Sequence, residues 1–353
     1  MEKKLNNGLQ IVRASACIMI VVHHLLGQYW NIKTDLGECA VTIFFLLSAF
    51  LAGGKENCSW NSKNSIWRES AALVKKKVKK FYFLYFISVM MTFPIYIFSY
   101  AQRKITCMDI LQLAIILVCC LCLIQSWIPS SDFYYGFNGV AWFLSAIVFA
   151  YFLEPFMRRI TEKLESGRKK IWMMIALFLT LIVITLLFQN SEFEVALLYI
   201  NPIPRAMEYG IGFLAGNLAA ENSKTENSNI IIDQTMAEAL VIVLMLLALW
   251  VKVPAAWSDL VWYIPFSLLV IVAFKNTQGG YVKKVFSNGF VFKIAEISLT
   301  IYLLHQVIIR YVYIFNKYIL KADSCVGTIL SVVLIIITVS VYEWYANRKK
   351  KRK

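Results

Sequence analysis

From its first residues the chain alternates long apolar runs with short polar stretches. The runs lie at 9–27, 39–54, 81–100, 105–127, 140–157, 171–188, 203–220, 236–251, 257–274, 291–315 and 326–345. About 20 apolar residues in a helix cross a hydrocarbon layer about 30 Å thick, and backbone polar groups in lipid are satisfied only within helices or closed barrels. The pattern predicts an all-α, polytopic integral membrane bundle. No polar stretch exceeds about 25 residues, too few for a separate soluble domain, so residues 1–353 read as a single membrane domain, embedded over about 8–345.

The polar stretches give an orientation. Lys75, Lys76, Lys77, Lys79 and Lys80, the loop 158–170 and the tail 346–353 carry much of the positive charge, and an excess of Lys and Arg marks cytoplasmic loops. Both termini are then expected in the cytoplasm and the protein in the plasma (inner) membrane. Six runs lie between residue 170 and the tail and can all cross. The three runs between Lys80 and Arg158 must supply an even number of crossings. One of them is expected to be re-entrant or interfacial, giving about ten spans, with 81–127 the irregular region and Pro94 a candidate break.

Composition agrees with this picture. The chain is 59% hydrophobic and 16% charged, with a formal net charge of +15 and a mean hydropathy of +0.63. The charge sits in short loops and at the tail, not on a folded basic face, so no nucleic-acid partner is expected; the lipid bilayer is the first partner. Of eight cysteines, Cys17, Cys107, Cys119, Cys120, Cys122 and Cys325 lie in or beside apolar runs, where cysteine acts as a small hydrophobe. No metal site is assigned. The Met-Glu-Lys-Lys start is similar to that of a signal peptide, but no small-x-small cleavage site follows, and an uncleaved first span is expected.

The first run holds the candidate chemistry. Arg13 and His24 are eleven residues apart, about 1100° around a helix, and share one face; His23 is turned about 100° away. At about 1.5 Å per residue His24 lies about 16 Å further along the helix than Arg13. Ionisable groups at membrane depth are costly and mark functional sites. A neutral imidazole can take a proton from a hydroxyl, and a guanidinium can hold a phosphate or thioester oxygen.

An arginine followed after ten residues by a histidine in the first span resembles the signature of the membrane acyltransferase-3 family. Four further stretches are similar to that family's motifs, in the same order. Ala40-Val-Thr-Ile-Phe-Phe-Leu-Leu-Ser-Ala-Phe-Leu51 resembles "GVDLFFVLSGFL", with alanines for both glycines and Thr42 for the acidic residue. Trp142-Phe-Leu-Ser-Ala-Ile-Val-Phe-Ala-Tyr151, followed by Pro155, resembles "WSLSVEEQFYLLWP", with Trp142 and Ser145 in register and Ile147 and Val148 in place of the acidic pair. Arg205-Ala-Met-Glu208-Tyr-Gly-Ile-Gly212-Phe-Leu-Ala-Gly216 resembles "RxxEFxxGxxxG". Ile297-Ser-Leu-Thr-Ile-Tyr302-Leu-Leu-His305 resembles "ISYSLYLLH", with Ser298, Tyr302 and His305 on one helical stripe. Lys77-Val-Lys-Lys80-Phe-Tyr-Phe83 stands where the family has a cytoplasmic Arg-x-x-Arg element; lysine lacks the bidentate fork, and Lys77 and Lys80 read either as topology-setting charges or as attractors of donor phosphate.

The resemblance implies an enzyme that transfers an acyl group, acetyl first, from acyl-CoA to a hydroxyl of a cell-surface glycan or related acceptor. Acyl-CoA is a co-substrate, with no permanently bound cofactor. His24 is the implied general base or acyl relay, and Arg13 the donor-phosphate or thioester ligand. Ser48, Trp142, Ser145, Arg205, Glu208, Ser298, Tyr302 and His305 are the implied supporting or cavity residues. Arg205 with Glu208 reads first as a structural ion pair and second as a cavity lining; Ser48 reads equally as packing; His305 either acts on substrate or orients another group. The alternative class is a transporter or flippase of a glycan or lipid intermediate, although no paired halves are visible.

Overall fold

The protein is described here by a computed structural model that covers residues 7–55, 65–101, 106–222, 236–241, 243–244, 253–275 and 280–351. Among these residues there is no strand. The principal helices are α1 (Asn7–Trp30), α2 (Leu36–Gly53), α3 (Ile66–Val78), α4 (Tyr82–Ala101), α5 (Cys107–Leu121), α6 (Trp142–Lys163), α7 (Gly167–Phe188), α8 (Pro202–Asn222), α9 (Ile264–Lys275), α10 (Gly289–Phe315) and α11 (Ser324–Lys351). Polar side chains mark several starts. Thr106 and Asp109 form a reciprocal capping box at α5, Ser166 caps α7 and Asn288 caps α10.

Among the described residues, seven helical stretches are long and apolar enough to cross a membrane, or up to eight if the bent pair α3–α4 is one span. The expected count of about ten is not confirmed among the described residues, for three separate reasons. First, α5 has 15 residues, about 22 Å of helix, short of the hydrocarbon thickness. If α5 does not cross, α4 and α6 are the two crossings between Lys80 and Arg158, the even number that the charges require. Second, α8 is 21 residues long, long enough by length, but it carries Arg205, Glu208 and Glu221. Third, the run at 236–251 lies largely outside the described residues.

Pro94 does not break the chain. It sits inside α4, and the 59° bend falls between α3 and α4. In the turn that the proline leaves short of a donor, the Tyr311 hydroxyl donates to the carbonyl of Met91 at 2.5 Å.

Between α5 and α6 the chain is irregular over residues 122–141, with positive φ at Leu123 and Phe137. Much of this segment is buried, including Gln125, Ser126 and residues 136–141. Irregular backbone at membrane depth must find its partners within the protein. Gln125 donates to the Ala141 carbonyl at 3.1 Å, Ser126 to the Trp142 carbonyl at 2.7 Å and Asn138 to the Leu303 carbonyl at 2.9 Å. This segment becomes one wall of the site.

The closest helix packing is that of α2 on α8. A Cβ at Gly53 would collide with the carbonyl of Phe213, and one at Gly216 with the carbonyl of Phe50, so the two backbones touch only because both positions lack side chains. Gly216→Val is expected to force the helices apart at a cost of about 1–3 kcal/mol, read as a lower melting temperature of the detergent-solubilised protein by fluorescence-detected size exclusion. An unchanged melting temperature would mean that the contact is not tight.

Candidate functional site

The α1 stripe faces the interior, as its spacing predicts, but it opens on two cavities rather than one. Arg13 lines a cavity of about 200 Å³ together with Ser48, Tyr151, Ser298 and Tyr302. His24 lines a second, of about 240 Å³, with Glu38, Trp142, Tyr199, Gln306 and Arg310. Tyr302 belongs to both linings. Its ring lies 5.4 Å from that of Phe143 and 6.3 Å from that of Phe44, centroid to centroid, and its hydroxyl donates to the Val140 carbonyl at 2.6 Å. Phe44 and Phe143 line the Arg13 cavity alone, so of the three rings Tyr302 is the one shared by both linings. A larger groove of about 330 Å³ between α6, α7 and α8 has no ionisable lining.

At the His24 cavity all three histidines of the chain meet. The His24 ring lies 5.0 Å from His23 and 5.1 Å from His305. His305 is fully buried. Its Nδ1 stands 2.7 Å from the Tyr302 carbonyl and 3.0 Å from the Ile301 carbonyl. Carbonyls only accept, so Nδ1 carries the proton and Nε2 is a bare lone pair; that Nε2 has no hydrogen-bond partner among the described residues. A base without a proton of its own therefore sits beside His24.

At the Arg13 cavity the polar groups are fewer. Ser48 Oγ and the Tyr151 hydroxyl are 3.4 Å apart. Lys77 extends over the Tyr151 ring, 4.2 Å from its centroid, and lies 3.6 Å from Glu154, which brings it to the edge of this cavity. Lys80 is exposed at the turn after α3. Ser298 lines the cavity, and its hydroxyl donates to the Ala295 carbonyl at 2.9 Å. Ser145 accepts from the Ser126 amide at 3.3 Å and lines neither cavity; its contact ties α6 to the irregular segment.

Arg205 and Glu208 are an ion pair, with 2.6 Å between Nη1 and Oε2 and side chains 0% and 2% exposed. They line neither cavity. Two partners that the sequence reading did not single out complete the cluster. Asp259, in a π-helical turn that leads into α9, lies 2.9 Å from Arg205, and Thr42 donates to Asp259 at 3.1 Å. Asp259 thus brings a carboxylate beside Thr42 from outside α2.

Glu38, Gln306, Arg310 and Tyr199 were also passed over. A signal existed for two of them. Tyr302, Gln306 and Arg310 follow at intervals of four, so the polar stripe of α10 continues past His305.

A helical membrane bundle with a stacked arginine and histidine on its first helix defines the class of protein. Within it, a family model described as an acyltransferase domain matches residues 6–343. The chain belongs to this family, acyltransferase-3. Among curated proteins, the acyltransferase MdmB of Streptomyces mycarofaciens is 30% identical over 135 residues, 38% of this chain and 32% of that protein. The match thus spans about a third of that relative's length. No solved structure matches the chain.

Asp259→Asn is expected to lower stability by about 1.5–3 kcal/mol, the worth of a hydrogen bond to a charged group. Adding Thr42→Asp should recover most of that loss by returning the carboxylate to α2. Melting curves of the single and double variants test this; a double variant less stable than Asp259→Asn would refute the exchange.

Proposed function

We propose that the protein transfers an acyl group, acetyl first, from acyl-CoA to a hydroxyl of a cell-surface glycan or related acceptor, at a site centred on His24. The observation that carries this reading is the pair of cavities that share Tyr302 in their linings, one lined by Arg13 and the other by His24. The protein is read as a plasma-membrane protein with cytoplasmic termini, so the Arg13 cavity faces the cytoplasm, where acyl-CoA is found.

In this reading the donor approaches from the Arg13 side. The helix rise separates Arg13 from His24 by about 16 Å, too far for both to act on one thioester carbonyl. Arg13, with Lys77 at the cavity edge, therefore serves the phosphates or polar arm of the donor. The thioester end of that arm reaches past Tyr302 to His24. His24 takes the proton of the acceptor hydroxyl as its oxygen attacks the thioester carbonyl. The carbon–sulfur bond breaks, the ester forms, and the proton passes from the imidazole to the departing thiolate, giving free CoA. His305, its Nδ1 proton held by two carbonyls, acts as a positioning residue for the His24 ring.

The test uses purified protein in nanodiscs with radiolabelled acetyl-CoA and a cell-envelope glycan fraction. His24→Ala is expected to reduce label transfer by about 10²–10⁴-fold while the protein stays monodisperse; retained transfer would remove His24 from the reaction. Arg13→Ala is expected to raise the half-saturating acetyl-CoA concentration by about tenfold or more, in keeping with a lost charge-assisted contact. Unchanged donor saturation would make Arg13 a topological residue. Substrate movement without consumption of acetyl-CoA or longer acyl-CoAs would favour a transporter.

A further inference from the structure

The His24 cavity contains polar atoms that the fold leaves unused. Glu38 Oε2 and Gln306 Oε1 are buried with no hydrogen-bond partner among the described residues, and both side chains line the cavity. His23 Nδ1 is 3.8 Å from Glu38 Oε2, beyond hydrogen-bond range, and is engaged with Thr34 Oγ1 at 3.0 Å. Arg310, one turn beyond Gln306 on α10, donates through Nη1 to the Phe137 carbonyl at 3.1 Å. No carboxylate pairs with it among the described residues.

These groups converge. A Cβ on Gly139, in the irregular wall, would stand 2.8 Å from Gln306 Oε1 and 3.2 Å from Arg310 Nη2. Both head groups therefore reach the same patch of wall, and Glu38 faces the cavity from α2. Trp142 and Tyr199, with ring centroids 4.8 Å apart, supply aromatic surface alongside.

The chemistry of this set is specific. Two of the groups only accept through their free atoms, and one only donates. A hydroxyl can satisfy both kinds, donating to a carboxylate or carboxamide oxygen and accepting from a guanidinium. A ligand without such groups would leave buried polar atoms unpaired, the situation sites reject most strongly. The hydroxyl that reacts belongs at His24, so the groups at Glu38, Gln306 and Arg310 serve another part of the same molecule.

We propose that the acyl acceptor is held at two points, with its reacting hydroxyl at His24 and a second hydroxyl bound by Glu38 and the Gln306–Arg310 pair, which selects acceptors with at least two hydroxyls and fixes which one is acylated. This rests on the acyl-transfer reading above. Glu38, Gln306 and Arg310 lie outside the five motifs of the sequence and are here specificity residues.

The test compares full-length wild type with Glu38→Gln and Gln306→Met, both close in size to the native residue, in nanodiscs with labelled acetyl-CoA and the cell-envelope glycan fraction. Each variant is checked for monodispersity, and Gln306→Met carries the test if Glu38→Gln misfolds. The amount of glycan fraction giving half-maximal transfer should rise about tenfold or more, as expected for one lost hydrogen bond to a polar or charged group. Half-saturating acetyl-CoA should stay within about twofold of wild type. Mapping of the labelled product by mass spectrometry should find one acylated position with wild type and several with the variants. Unchanged acceptor saturation and a single product position in a folded variant would overturn the second binding point and leave acyl transfer intact. No transfer by wild type with acetyl-CoA or longer acyl-CoAs would overturn both.

Discussion

A guanidinium that water cannot reach must be matched by the protein, and the arrangement of α2, α8 and the turn before α9 follows from matching Arg205. Stripping an ion of water costs several kcal/mol even after relaxation. Arg205 recovers this through Glu208 on its own helix, Asp259 from the π-helical turn, the Thr42 hydroxyl at 3.3 Å and the Tyr199 carbonyl at 2.7 Å. Three separate segments must be in register for all four contacts to form. The glycines of α2 and α8 allow the helices to touch, and the Arg205 cluster selects the register at which they do. Through Tyr199 the same cluster sets a wall of the His24 cavity, because Tyr199 carries the carbonyl that Arg205 binds and the ring against which Trp142 packs.

The same constraint, read in reverse, distinguishes structural from ligand-binding polarity. Around Arg205 each charge has close partners. Around His24, Glu38, His305 and Gln306 each keep a buried atom without one. Other buried atoms in that state, such as Glu69 Oε1 and Ser267 Oγ, are scattered through the bundle. Those near His24 fall together beside a cavity and beside an arginine that no carboxylate pairs with among the described residues. The ion pair that the sequence reading weighed as a possible cavity lining is the saturated one, while Glu38, Gln306 and Arg310, which line the cavity beside His24, Trp142 and Tyr302, lay unmarked a few positions from the motifs.

What could be read from sequence depended on the range of the interaction. Apolar period and length pointed to most spans, the α1 stripe pointed to Arg13 and His24, and the motif resemblance pointed to Ser298, Tyr302 and His305, which share a stripe of α10; all of these are local patterns. The α10 stripe was followed only as far as the histidine, although Gln306 and Arg310 continue it. Residues 122–141 hid their irregular path. Their ends read as parts of the apolar runs 105–127 and 140–157, and the hydrogen bonds that sustain them reach residues such as Leu303, 165 positions away. Asp259 was hidden for the same reason, its contact with Thr42 bridging 217 positions. Charge parity called for one of the three runs between Lys80 and Arg158 not to cross without naming which, and α5 is the shortest helix of the three, since the sign of a loop constrains the path between loops without describing it.

Placing Arg13 and His24 on a single helix has a mechanical consequence. Were the two side chains carried by different helices, their separation would vary with every shift in packing. On α1 it is set by the rise per residue, about 16 Å over eleven positions, and the helix backbone maintains it against fluctuation. In the proposed reaction, a donor held by its polar end at Arg13 would present its far end at a constant depth, next to His24. What must be controlled is passage between the two cavities, and Tyr302 is suited to that task. It lies on α10, which packs against α1, and its hydroxyl is tied to Val140 in the irregular wall. The ring common to both cavity linings is thus braced by an irregular segment, where a small change in backbone can move it without shifting a span.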